Sequence, residues 1–279
     1  MNRLLAIELQ KIWKNKASRV LTSTYFILLT FIALIAAIKF DIGPIKFHLA
    51  DEGIFNFPYI WHFNTYIAAI LKFFLAVVIV SMMANEYSYG TLKQNLIDGL
   101  SKREFIESKF LTVVVFSGIS TLFIFTISLI LGLIFSSYTE ISIIFSQMEY
   151  LLAYFVKLVG FFSFCLFLGI FVKKSAFALG FLLVWNIIEG IISGILTFKV
   201  FPDNHDTASN ITQFLPLQSM SNLIIEPFSR LSIVKNIGTQ IGVAGTKDYA
   251  VHWYSILIVL CWTAIFIFLS FKLLKKRDL

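Results

Sequence analysis

A chain of 279 residues in which 58% are hydrophobic and 14% charged, with a mean hydropathy of +0.84, cannot fold as a water-soluble domain, whose charged share is about a quarter. The 23 Lys and Arg exceed the 16 Asp and Glu by seven. They gather at the ends of apolar runs, where membrane topology and anionic lipid account for them without nucleic acid. Cys165 and Cys261 lie inside apolar runs at different depths, so neither a disulfide nor a thiolate metal site is expected.

In chain order, residues 4–16 come first. They place Leu5, Leu9, Ile12 and Trp13 on one helical face and Arg3, Gln10, Lys11 and Lys14 on the other, the pattern of a helix lying at the membrane surface within residues 1–19. The apolar run 20–38 is 19 residues long, longer than the apolar core of an ordinary signal peptide and long enough to cross a hydrocarbon core of ~30 Å. Five further runs, 64–84, 111–135, 150–172, 176–198 and 252–274, qualify as spans. The expected fold is therefore an all-α integral membrane protein, a single transmembrane domain over residues 1–279 with six transmembrane helices.

Six spans leave both termini on one side. Lys and Arg outside the spans number 15 in the segments sharing the side of the termini and six in the others, so the positive-inside rule places both termini in the cytoplasm. The connection 199–251 is then external. Within it, Leu217, Met220, Leu223 and Ile224 recur at helical spacing between Pro216 and Pro227, which limits the element to about three turns and predicts a short helix dipping into the outer leaflet.

The longest polar interruption in the first two thirds of the chain is 86–110. Gly90 breaks the preceding run, Thr91 is placed to cap a short helix with Leu92, Leu96 and Ile97 on one side, and Gly99 stops it. Ser101 followed by Glu104 is a capping-box pattern that starts a second helix. Such a stretch can be a well-capped connector or a docking element.

Chemistry is sparse. Lys72, Lys157 and Glu189, the last beside Asn186, are ionisable groups within spans, roughly 10–15 Å from the external surface at ~1.5 Å per residue. Either Glu189 pairs with Lys157 or Lys72, or the lysines snorkel outward and Glu189 finds Asn or Ser partners. His48, His62, His205 and His252 lie in or beside polar connections without an HExxH or paired-carboxylate pattern and read as surface residues; no metal site is expected. The spans hold Ser and Thr but, His252 at the very start of the last one apart, no His or Asp to activate them, so the chain does not read as an enzyme. GTQIGVAGTKDY (238–249) fails the Walker pattern because Lys247 follows Thr246 rather than Gly.

The stretch 86–110 resembles the first cytoplasmic loop of the ABC type-2 exporter permeases. There an acidic residue at the end of a span is followed by Gly-Thr-Leu, a short helix, and a Ser-Arg-type turn leading to a Lys. Glu86, Gly90, Thr91 and Leu92 match the first part, and Ser101, Lys102, Arg103 and Lys109 the second; Gly99 and Leu100 stand where the family often has Pro-Ile or Pro-Val. The resemblance extends to the N-terminal interfacial helix, the six spans, the long last external connection and the short basic tail. It implies a coupling helix seated on a separate cytoplasmic ABC ATPase, with Glu86, Gly90, Thr91, Leu92, Leu96, Ile97, Gly99, Ser101 and Arg103 as coupling residues. It implies further that the chain binds no cofactor itself, ATP and Mg being held by the partner, and that a second permease copy or paralogue completes a dimer among membrane lipids in a bacterial cytoplasmic membrane. A reading from another class is a non-transporting scaffold or accessory component of an envelope complex, in which the loop is only a docking site.

Overall fold

The computed structural model describes residues 2–37, 40–42, 45–47, 53–231, 234 and 247–277. An amphipathic helix α1 (Asn2–Lys14) leads into α2 (Lys16–Ala37), followed by α3 (Tyr59–Ser88), the short α4 (Thr91–Ile97), α5 (Lys102–Phe135), the single turn α6 (Ile141–Ile144), α7 (Glu149–Val172) and α8 (Ser175–Ile195). A π-helical turn (Leu196–Val200), α9 (His205–Thr212), α10 (Pro216–Asn222), a 3-10 turn (Phe228–Arg230) and α11 (Trp253–Lys275) complete the order. Six of these segments are long and apolar enough to cross a membrane, and the chain is a multi-pass membrane protein.

The helices overrun the apolar runs that announce them. α3 begins at Tyr59 and continues to Ser88, and α5 starts at Lys102, because a helix need not end where hydrocarbon does. The fold is not wholly helical. Phe40–Ile42 pairs antiparallel with Ile45–Phe47 in the register Phe40↔Phe47, six residues too few to leave a periodic signature.

α7 is the axis of the bundle. It is the most enclosed of the six, while α2 and α8 lie at the periphery with most of their surface outward. Without a hydrophobic drive between helices in lipid, close approach has to come from small residues, and α7 supplies them. A Cβ on Gly169 would lie 2.9 Å from Met83 Cβ of α3, and one on Gly160 would lie 2.7 Å from Val259 Cγ1 of α11 and 3.3 Å from Met220 of α10. Hydroxyls supply the rest. Tyr25 of α2, Ser120 of α5 and Tyr154 of α7 form a buried triangle with edges of 2.6, 2.8 and 2.9 Å.

Both termini lie at one end. Lys102 Nζ donates to the Arg277 carbonyl at 2.8 Å, and the Arg277 guanidinium donates to the Ile170 and Phe171 carbonyls that α7 leaves unpaired, as well as to Tyr87 Oη. The hairpin, α6, α9 and the 3-10 turn gather at the opposite end.

Candidate functional site

The passage from α3 through α4 into α5 is built by its two glycines and one serine. Gly90 holds φ +68° and Gly99 φ +99°, backbone that side-chain-bearing residues rarely adopt. Gly90, rather than the expected Thr91, is the N-cap of α4 and offers no side-chain bond. At the other end Leu100 N–H donates to the Asn95 carbonyl at 3.0 Å and Gly99 N–H to that of Leu96 at 3.3 Å, the paired bonds of a Schellman stop. The Gly99–Leu100 pair thus closes α4 where the resembling family often uses proline. One residue on, Ser101 Oγ accepts from Glu104 N–H at 3.1 Å while the Glu104 carboxylate accepts from Ser101 N–H at 3.0 Å, the complete capping box that starts α5.

Thr91 is released from capping for another role. Its hydroxyl donates back to Glu86 Oε2, and Glu86 is 3% exposed. Glu86 Oε1 accepts from Lys109 Nζ of α5 at 2.6 Å and from Lys11 Nζ of α1 at 2.8 Å. Both lysines also donate to Glu8 of α1, Lys11 at 3.1 Å. Two carboxylates and two ammoniums therefore meet in a neutral cluster joining four helices. Lys109 is fully buried with its Nζ 5.1 Å from the centre of the Phe105 ring, and two carboxylates face it. Around the Lys11 ammonium, partial burial works against the charge, but the hydrogen bond it donates to Glu86 and the charges of Glu8 and Glu86 outweigh it and hold the group above the usual lysine range. Beside the cluster α1, α3 and α4 enclose a cleft of about 320 Å³ lined by Glu8, Lys11, Lys14, Asn85, Glu86 and Thr91.

The expected exposed face of α4 is divided. Leu92 is buried beneath the helix and Leu96 packs partly against the core, because anchoring α4 to the bundle consumes that side; Ile97 is 74% exposed, beside exposed Lys93, Gln94 and Asp98. Arg103 is exposed and pairs with Glu107 at 2.7 Å. In α1 the inward face carries Glu8 with Ile12, whereas Trp13 points out.

The polar residues within the spans are arranged differently from either expectation. Among the described residues no ion pair joins Glu189 to Lys157 or Lys72. Instead the Glu189 carboxylate accepts from Leu217 N–H at 3.0 Å, Gln218 N–H at 2.9 Å and Trp185 Nε1–H at 2.6 Å, which places it on the N-terminus of α10. Lys157 is buried, and its Nζ donates to the Ser221 carbonyl at the other end of that helix, 3.4 Å away. Acid and base thus sit at the ends of α10 that its dipole favours. Glu189 lies 14 residues beyond Ser175, ~21 Å along α8, so α10 is seated at membrane depth with Leu217 and Met220 buried. Lys72 rests 4.6 Å above the Phe161 ring, and Asn186 faces outward.

His62 is a second correction. It is fully buried, stacked on Tyr150 at 4.3 Å, with Nε2 2.7 Å from the Ile225 carbonyl and Nδ1 3.1 Å from Arg230 Nη1. His205 is exposed and His252 half-exposed, while His48 falls outside the described residues. Glu8, Lys11, His62 and Arg230 escape sequence reading because their cross-helix partners, Lys109 for the first, Glu86 for the second and each other for the last two, stand 75 to 168 positions away; a lone Glu inside the apolar face of an amphipathic helix is the one local signal that could have raised Glu8. Among the described residues no three His, Cys, Asp or Glu side chains converge to hold a metal ion.

The family described as "Protein of unknown function (DUF2705)" matches residues 56–279. The chain belongs to that family. The matched stretch contains α4, Glu86, Lys109 and Glu189, and α1 with Glu8 and Lys11 precedes it. No curated protein matches the chain.

Proposed function

We propose that this chain is the permease subunit of an ATP-driven ABC exporter, coupled through α4 to a separate cytoplasmic ATPase subunit that holds the ATP and Mg. One observation carries the reading. Glu86, Thr91 and Lys109, the acidic, threonine and lysine positions of the resemblance, lie up to 23 positions apart in sequence and converge on one buried cluster that fastens α4 to α1, α3 and α5. A helix so fastened transmits force to the spans, where a slack loop would absorb it. Its outward residues, Lys93, Gln94, Ile97 and Asp98, form an apolar point in a polar ring, the anatomy of a helix-in-groove contact.

On this reading both termini are cytoplasmic, in a bacterial cytoplasmic membrane. The second permease copy meets the outward face of α8, where Asn186, Gly190 and Gly194 share one stripe and no heavy atom approaches within 4 Å of a Cβ built at either glycine. The test is Ile97→Asp. A side chain 74% exposed leaves folding unchanged within about 0.5 kcal/mol, so the variant should elute and melt as the parent does while a Walker-motif ATPase no longer co-purifies. Undiminished ATPase retention and hydrolysis in the variant complex would overturn the assignment.

A further inference from the structure

Two cavities at the end opposite the termini meet at one side chain. The first, about 120 Å³, is apolar and lies between α2, α3 and α5, with Leu29, Ala33, Ala36, Ile67 and Ile127 in its wall. The second, about 220 Å³, is polar and contains Asn56, Tyr59, Tyr138 and Arg230. Phe63 lines both, and Phe228 of the first is two residues from Arg230 of the second.

Among the described residues the polar cavity presents donors without an opposing acid. Arg230 lies beside two aromatic rings, its guanidinium 5.0 Å from the Tyr59 ring centre and 4.5 Å from that of Tyr249. The Ile225 carbonyl can only accept, so the His62 proton is on Nε2 and Nδ1 accepts from Arg230 Nη1. That bond uses one of five guanidinium protons. Asn56 Oδ1 accepts from Ser137 N–H at 3.0 Å, which leaves the Asn56 amide nitrogen as a donor. Among the described residues no carboxylate lines the cavity or lies in ion-pair range of Arg230; Glu226 is engaged by Lys247 at 2.6 Å and by Ser229 at 2.7 Å. The apolar cavity approaches the ~150 Å³ size at which dry pockets take up a benzene. It begins about where α3 enters the apolar layer, with Asn64 the polar side chain in its wall, bonded to Ser128 Oγ at 2.8 Å.

A cationic, donor-rich cavity set against a lipid-depth apolar one across the shared Phe63 has the shape and charge of an amphiphile. We propose that the pair is a binding site for a lipid with an anionic headgroup, the headgroup on Arg230 and Asn56 and the first methylenes of a chain between α2, α3 and α5. The site belongs to one chain and stands whether or not an ATPase is the partner of α4.

The experiment is competitive lipid retention by the full chain in neutral detergent, with lysophosphatidylglycerol, lysophosphatidylcholine and inorganic phosphate as probes and mass spectrometry of bound lipid as the readout. The parent should retain the anionic lipid about tenfold over the zwitterionic one, the scale of a charge-assisted contact. Asn56→Asp keeps the acceptor for Ser137 while adding a negative charge, and should bring the two lipids near parity. Ala36→Trp fills the apolar cavity and should lower retention of both. Equal retention of the two lipids by the parent overturns the proposal even where a variant fails to fold. So does undiminished retention in Ala36→Trp, or displacement of the lipid by inorganic phosphate with the same potency as by free lysophosphatidylglycerol, which would make the site one for a free anion.

Discussion

Glu86 and Glu189 are carboxylates of nearly equal burial, 3% and 4% exposed, and the protein satisfies them in opposite ways. Glu86, at the end carrying the termini, meets two ammoniums and a hydroxyl from three other helices. Glu189, at membrane depth, meets two backbone amides and an indole. Ion pairing joins separate elements and makes each hostage to the others, because removing one partner strands a charge. Dipolar satisfaction pins one short helix in place and leaves the rest of the bundle alone. The first arrangement suits a lever and the second a fixed plug.

The largest effect should come from breaking the ion cluster on one side only. Lys109→Met leaves Glu8 and Glu86 facing Lys11 alone, and should lower stability by about 3–5 kcal/mol in a detergent melt. Adding Glu8→Gln restores neutrality and should recover a substantial part; a strictly additive double variant would mean the cluster is not one unit.

At the other site, Lys157→Glu and Glu189→Lys should each cost about 1.5–3 kcal/mol, the scale of hydrogen bonds to charged groups. The exchanged pair should be no better than the worse single variant, since both charges would then oppose the α10 dipole. Rescue by the exchange would restore a direct Lys157–Glu189 pair and erase the contrast drawn above.

Gly160→Val sharpens the comparison from behind. It forces Val259 and Met220 away from α7 and so loosens α10 without touching either of its charges, at about 1–3 kcal/mol. If proteolysis of the 199–251 connection then stays at the parent rate, the seat of α10 rests on Glu189 and Lys157 alone.

The smallest effect belongs to an exposed pair. Partial burial pushes the Glu226 carboxyl up, but hydrogen bonds from Lys247 and Ser229 outweigh it and hold the group below the ordinary carboxylate range. Its contribution is therefore present above the unfolded carboxylate pKa and lost as pH falls through the lowered folded value. At a site this exposed it amounts to under about 1 kcal/mol, and Glu226→Gln should flatten only a shallow acid limb of the melting curve.

The six spans, the amphipathic α1, the capping box at Ser101 and the stop at Gly99 were legible because each is written in neighbouring residues: apolar length, a 3.6-residue period, a Ser three positions before a Glu, a glycine where φ is positive. The hairpin was illegible because three-residue strands carry no period. Leu92, expected on the exposed face of α4, is instead buried, because which side of a short helix turns inward depends on where α3 and α5 stand.

What the amino-acid sequence determined by itself is a helical membrane protein with a short helix stopped at Gly99 between its second and third spans, because hydropathy and the glycine stop are local free energies. Only the tertiary structure decided how the buried charges are answered. Glu8 with Lys109, Glu189 with the amides of α10 and Arg230 with its aromatic faces are partnerships between distant segments. Coulomb and hydrogen-bond energies act over a few ångströms of space, and chain separation does not measure that distance.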